Sequence, residues 1–300
     1  MNFNCRILMI SAFAVAAASA NACSVCIAHA LGSAIHSIGA QTLHKGGTVV
    51  GISFTTFNKS QDGEEPDTTE SHRQSEYDIR FLHGLNEQWM LRADVPYIFK
   101  RLSMTDEEPT DTKGLGDITL GATYQVKPRV GDKVLFAATF DLKLPTGANN
   151  LKDGDGERLE EHSQIGTGST DFSIGVLATS ELKSGNLVFG GLRARFNGEN
   201  GEGYRYGNVL FYNLGYSHKL SEKGSIVFEL NGRIASKDKP EGGGSDENSG
   251  GHFGYLSLSY RQSYGKDLGF VGTYQIPVIR SLNGSQSESG LLTIGVFKKL

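Results

Sequence analysis

Two sets of residues in this 300-residue chain have the types and spacing to do chemistry. Cys23, Cys26 and His29 recur every third residue, so one helical face could carry all three. Such a face could bind a soft or borderline metal ion, with His36 or His44 as a fourth ligand. In an oxidising compartment a Cys23–Cys26 disulfide is the more common outcome for two nearby cysteines. Ile27 follows Cys26, so the Cys-x-x-Cys-His pattern of covalent haem attachment is not met. The second set is a series of charges of both signs at alternating positions: Asp78, Arg80, Arg92, Asp94, Asp117, Asp141, Lys143, Asp171, Arg193, Arg195, Glu229 and Arg233. Charges kept from bulk water are tolerated chiefly when paired, and mixed signs on neighbouring strands allow that pairing. Arg193 and Arg195 are the candidates for attracting or orienting an anionic or polar solute.

No constellation for catalysis stands out. Gly114-x-Gly116-Asp117 and Gly166-x-Gly168-x-x-Asp171 are glycine-rich, but neither opens a helix after a strand, so a nucleotide-binding reading fails on context. Ser163 lies beside His162, and His218 and His252 lie elsewhere, which supplies materials for a hydrolase without the spacing of one. The expectation is a protein that is not an enzyme and uses no cofactor.

The elements that must position these charges are strands. Trp89, Leu91, Ala93, Val95, Tyr97 and Phe99 alternate with Gln88, Arg92, Asp94 and Lys100, a period of two with one greasy and one charged face. The same pattern runs through Ile118 to Val126 and Val134 to Leu144. Strands are expected near 47–57, 74–83, 88–101, 115–126, 133–144, 170–181, 186–196, 205–218, 224–235, 252–264, 268–277 and 289–299. Long polar connections at 58–73, 102–114, 145–169 and 236–251 alternate with tight ones such as Leu85-Asn86-Glu87, Lys183-Ser184-Gly185 and Gly265-Lys266-Asp267. Outer-membrane barrels have short periplasmic turns and long outer loops, whereas a soluble sandwich has no reason to lengthen every second loop. The fold expected over 47–300 is an all-β, transmembrane, antiparallel up-and-down barrel of about twelve strands in outer-membrane lipid, with both mature ends periplasmic. In a barrel the polar face of each strand turns inward, so the charged series becomes a lumen lining.

Mean hydropathy is -0.28 and 38% of residues are hydrophobic, which a barrel tolerates because only alternate strand residues meet lipid. The net charge of -4, with no basic block, makes nucleic acid an unsuitable partner. Arg6, the apolar stretch Ile7 to Ala18 and an Ala-x-Ala site at Ala18-Ser19-Ala20 or Ala20-Asn21-Ala22 read as an export signal over 1–22. Cleavage after Ala22 would leave Cys23 first, but Ala20 and Asn21 fit a lipoprotein cleavage box poorly. Over 23–46, Ile27, Leu31, Ala34, Ile35 and Ile38 recur at helical spacing, so a short amphipathic helix is expected to plug the lumen or lie on the periplasmic rim.

The stretch Gly114-Leu115-Gly116-Asp117-Ile118-Thr119-Leu120-Gly121-Ala122 resembles a family of outer-membrane transporters named for the phenol meta-cleavage pathway. Leu142-Lys143-Leu144-Pro145-Thr146-Gly147 and Gly166-Thr167-Gly168-Ser169-Thr170-Asp171-Phe172 strengthen the likeness. The resemblance implies a membrane barrel for small molecules, aromatic or otherwise hydrophobic, and carries over no binding residues. The Cys-containing segment and the Lys298-Lys299-Leu300 ending depart from the common pattern. Many such barrels end in Phe, which the barrel assembly machinery reads, and here the nearest aromatic is Phe297. The function expected is therefore a channel or transporter for small molecules. The alternative is a non-transporting barrel that docks a periplasmic metal or redox partner through its Cys/His segment, and a third reading has the acidic loops at 58–70 and 236–251 display a binding surface.

Overall fold

Alternating apolar and polar residues give a strand two unlike faces, and in water a single open sheet of such strands cannot hide its apolar face without a second layer. Here the sheet closes on itself. The computed structural model describes residues 39–62, 68–105, 108–126, 133–182 and 185–300. Its segments are β1 (Thr48–Asp62), β2 (Thr69–Gly84), β3 (Trp89–Met104), β4 (Thr110–Leu115), β5 (Thr119–Gln125), β6 (Val134–Lys143) and β7 (Asp171–Glu181). They continue as β8 (Leu187–Phe196), β9 (Val209–Lys219), β10 (Gly224–Ala235), β11 (Gly251–Tyr264), β12 (Leu268–Leu282), β13 (Ser287–Glu288) and β14 (Leu291–Lys299). β4 and β5 both pair with β3, and β13 and β14 both pair with β1, so fourteen segments make twelve antiparallel staves. β1 bonds to both β2 and β14, which closes the barrel.

The break between β4 and β5 has a cause in β3. Pro96 has no N–H to give a neighbour, and β4 pairs only as far as Tyr97 while β5 pairs only as far as Asp94. Pro277 acts similarly in β12: the ladder with β11 steps from Gly254↔Ile279 to Tyr255↔Pro277, a bulge that leaves Val278 unmatched.

Large apolar side chains cover the outside. Phe136, Val176 and Leu214 are 55%, 58% and 61% exposed, and Ile79, Phe140, Leu192, Leu230, Leu258 and Ile276 continue the band around the wall. A continuous apolar girdle of that size is a lipid surface. Near the short-turn end, Trp89 lies against Tyr124 with ring centroids 4.9 Å apart, and Tyr264 against Phe270 at 5.2 Å, the amphipathic rings expected at a membrane interface.

Two of the expected loops are largely strand. β1 and β2 stay paired up to Asp62↔Thr69, and β3 and β4 up to Leu102↔Thr110, so 58–62, 69–73, 102–104 and 110–114 extend the wall. Above the membrane the outer face of the sheet meets water and its inner face buries polar groups such as Lys59, Gln61 and Glu70, so pairing continues there after the apolar alternation has stopped. The wall is lower over β6 to β9, where β6 ends at Lys143 and β7 begins at Asp171. Thr48 and Lys299 lie side by side at the short-turn end, where Leu300 N–H donates to the Thr48 carbonyl at 2.9 Å.

Candidate functional site

The inward face of β2, β3, β6 and β8 carries a continuous chain of ion pairs. Arg80 bonds Asp94 through Nε and lies 3.6 Å from Asp78; Arg92 reaches Asp94 at 2.9 Å and Asp141 at 2.6 Å; Arg193 completes the chain on Asp141 at 3.0 Å. Two glycines make it possible. Gly121 lies in register between Arg92 on β3 and Asp141 on β6, and a Cβ there would come within 2.6 Å of Asp141 Oδ1. Gly175 on β7 faces Thr139 and Arg193, and its missing side chain lets the guanidinium cross β7. Arg193 and Arg195 also share the face of Phe211, at 5.2 and 5.5 Å from its centroid. On the opposite wall, Asn213 donates to Glu229 at 2.7 Å, Arg233 bonds Glu288, and the Tyr255 hydroxyl donates to Glu288 at 3.0 Å.

Above this ladder the three sequence stretches that carry the family likeness converge. Asp117, in the break between β4 and β5, accepts from Gly147 N–H at 3.0 Å, Thr167 N–H at 2.9 Å and Lys143 Nζ at 2.7 Å. Lys143 also pairs with Asp171 at 3.0 Å, and Asp171 accepts from Ser169 at 2.8 Å and Gly198 N–H at 3.1 Å. Gly147 and Gly166 pass so closely that a Cβ on either would lie within 2.8 Å of the other's backbone. This knot fastens both ends of the 144–170 loop to the rim of the wall.

So held, the loop turns into the barrel. Residues 161–166 are all buried, with His162 and Gln164 only 3% and 1% exposed. Lys100 on β3 donates to the carbonyls of His162 and Gln164 at 2.8 and 2.5 Å, and the Thr112 hydroxyl on β4 donates to the Ser163 carbonyl at 2.9 Å. Burial among Lys59, His72 and Lys100 holds the His162 imidazole well below its usual range, and so neutral. Glu160 stands near Glu70 and His72 of β2, and burial together with the Glu70 charge pushes its carboxyl up to about 8. Two further loops roof the loop over. Tyr206 donates to the Glu161 carbonyl at 3.1 Å, Tyr204 to Asp238 at 3.0 Å, and Gly207 N–H to Asp238 at 2.6 Å. Burial raises the Asp238 carboxyl to about 6.

Every charge in the sequence-derived series lies in one of these assemblies. Asp78, Arg80, Arg92, Asp94, Asp141 and Arg193 form the ladder; Asp117, Lys143 and Asp171 form the knot; Arg195 stacks on Phe211; Glu229 and Arg233 lie across the barrel. Glu70 and His72 fell in the loop expected at 58–73 and were not singled out, while Glu160 lies in the acidic stretch Asp153 to Glu161, which by sequence could either collect divalent cations or be solvated. Cys23, Cys26, His29, His36 and the helical spacing up to Ile38 lie outside the described residues, as does the export signal. Residues 39–46 of the expected helical segment are turn and extended chain, with Gly39 and Gly46 both at φ +79°. His44, the other candidate fourth ligand, is exposed at the short-turn end with Nδ1 3.1 Å from the Lys45 carbonyl. Ala40 is fully buried, its N–H donating at 2.8 Å to Thr179 on the inner face of β7. The chain therefore enters β1 from inside the short-turn end.

A closed twelve-stave barrel, lipid-facing outside and lined with polar groups inside, defines an outer-membrane β-barrel protein. Residues 52–276 match the family described as "Putative MetA-pathway of phenol degradation", and the chain belongs to that family. The crystal structure of the COG4313 outer membrane channel from Pseudomonas putida F1 aligns over 87% of this chain and 98% of its own, with a TM-score of 0.68 and 14% identity. The translocator domain of the autotransporter NalP from Neisseria meningitidis aligns at 15% identity over 85% of this chain and 89% of its own, with a TM-score of 0.46. The CymD monoaromatic hydrocarbon channel aligns at 9% identity over 86% and 89%, with a TM-score of 0.43. Among curated protein sequences, none matches the chain.

Proposed function

We propose that this protein is an outer-membrane channel for small molecules, with aromatic or other hydrophobic compounds as the solute class that family membership favours. One observation carries the reading: the inside of the barrel is lined by paired charges from β2 to β8, not filled with hydrocarbon. Buried ion pairs are costly beside an apolar core of equal volume, so a barrel built only for stability has no use for such a lining. The ladder and the inward-turned loop serve to narrow and select. Both termini lie on the periplasmic side in this reading, with the loops at 144–170, 197–208 and 236–250 outside the cell. An aromatic solute would meet a polar lining in which guanidinium groups already stack on a ring, Arg193 and Arg195 on that of Phe211.

Single-channel recording in planar bilayers tests this, comparing the mature protein with a version lacking residues 23–45. Discrete current steps that millimolar phenol reduces are the expected result. Steps only after truncation would make the N-terminal segment a plug, and silence from both proteins would overturn the channel reading in favour of a barrel that docks a periplasmic partner.

A further inference from the structure

We propose that Glu70, His72 and Glu160 form a binding site for one divalent cation of borderline softness, with Zn2+ as the representative ion, at the long-loop mouth of the barrel. One ligand atom from each lies within 4.8 Å of the others. The set brings two carboxylates and an imidazole together, a donor combination that suits zinc-like ions and disfavours Ca2+ and Mg2+, which prefer all-oxygen shells.

Three observations support it. Glu70 and His72 are both on β2 two residues apart, so they share the inward face, and Glu70 Oε1 already lies 2.6 Å from His72 Nε2. Tetrahedral zinc with bonds of about 2.0 Å separates its ligand atoms by about 3.3 Å, so this pair needs to open by about 0.7 Å, within the reach of a side-chain rotation. Second, Glu160 Oε1 is buried and has no hydrogen-bond donor. A buried carboxylate oxygen left in that state is costly, and a cation between it and Glu70 removes both the orphaned acceptor and the like-charge repulsion. Third, the His162 ring stands edge-on to His72 with centroids 6.3 Å apart, a contact that holds the orientation of the His72 imidazole.

The site joins two separate pieces of chain. Glu70 and His72 belong to the rigid wall, and Glu160 belongs to the loop that turns into the lumen. A bound ion therefore clamps the loop to β2 and makes its position depend on external metal.

Calorimetric titration of chelator-stripped protein with ZnCl2 tests the proposal. The Cys23→Ser/Cys26→Ser background removes the competing N-terminal thiols. One Zn2+ per chain is expected, with no heat from Ca2+ or Mg2+ at the same concentration. Glu160→Gln and His72→Gln each weaken Zn2+ binding at least tenfold, while heat-modifiable migration on gels shows that both variants still fold. Zinc also slows tryptic cleavage after Arg158 in the parent and leaves the rate unchanged in Glu160→Gln. Absence of stoichiometric zinc binding, or binding that neither substitution weakens, would refute the site.

Discussion

Replacing Gly121 with Ala tests whether the charge ladder depends on a missing side chain. The new Cβ would lie 2.6 Å from Asp141 Oδ1 and 3.2 Å from the Arg92 guanidinium, inside the 2.6 Å contact that joins those two residues. Both obstructing groups are ends of flexible side chains, so the strand stays in register and the ion pair yields. Losing a charged hydrogen bond costs about 1.5–3 kcal/mol, and Ala over Gly in a strand returns about 0.5–1 kcal/mol. The net expectation is a loss of about 1–2 kcal/mol. Gly51→Ala is the control: it faces the same lumen from β1, but its Cβ would meet only ordinary contacts at 3.6 and 3.7 Å. Urea unfolding in lipid vesicles, followed by fluorescence, reads the difference, because Trp89 is the sole tryptophan and lies on β3 against Tyr124 of β5, the stave that carries Gly121. If Gly121→Ala proves as stable as Gly51→Ala, the ladder does not depend on the gap and the reasoning fails.

Asp141→Asn leaves Arg92 and Arg193 without their shared carboxylate, so reversal potentials in a salt gradient should move toward chloride and the barrel should lose about 3–5 kcal/mol; unchanged selectivity would mean that these arginines do not face the solute path. Thr179→Val removes the acceptor for the fully buried Ala40 N–H at a cost of about 1–3 kcal/mol, and trypsin should then cut after Lys45 faster than in the parent. The Glu160 carboxyl is raised from 4.5 to about 8 when the loop is docked, so the docked form holds the proton more tightly than the released one. Docking of metal-free protein is therefore strongest below the ordinary carboxyl range and weakens as pH rises toward 8, by up to about 1.4 kcal/mol per unit. A spin label at Glu157→Cys, in the background lacking Cys23 and Cys26, should gain mobility between pH 6 and 9. Glu160→Gln should abolish that change, and a label equally mobile throughout in the parent would count against the linkage.

The barrel was readable because lipid on one side and water on the other impress a period of two on each stave, as in Trp89 to Phe99. That signal ends where the lipid ends, so β1, β2, β3 and β4 run on past the expected boundaries. The inward charges were readable for the same reason, but their partners were not. Which carboxylate Arg92 meets depends on register and on the gap at Gly121, neither of which alternation encodes. Glu160 lay furthest from view, because its neighbours come from β2 through a loop that folds back, and nothing local marks Arg158-Leu159-Glu160-Glu161-His162 as buried. The glycines at 147 and 166 were the available clue to close chain crossing.

The closure between β1 and β14 also sets a timetable for assembly. Val49 pairs with Lys299 and Thr56 with Leu292, so the first stave must wait for nearly the whole chain to be made before its second edge is covered. Until then β1 holds only β2, and its other edge is a row of unsatisfied backbone groups able to template association with another chain. Phe297, which shields Gly269 from the lumen side, arrives at the same final moment. Without β14 the edges of β1 and β12 would both lie open, so keeping those edges away from other chains until β14 docks is a task that falls to whatever escorts the chain to the membrane.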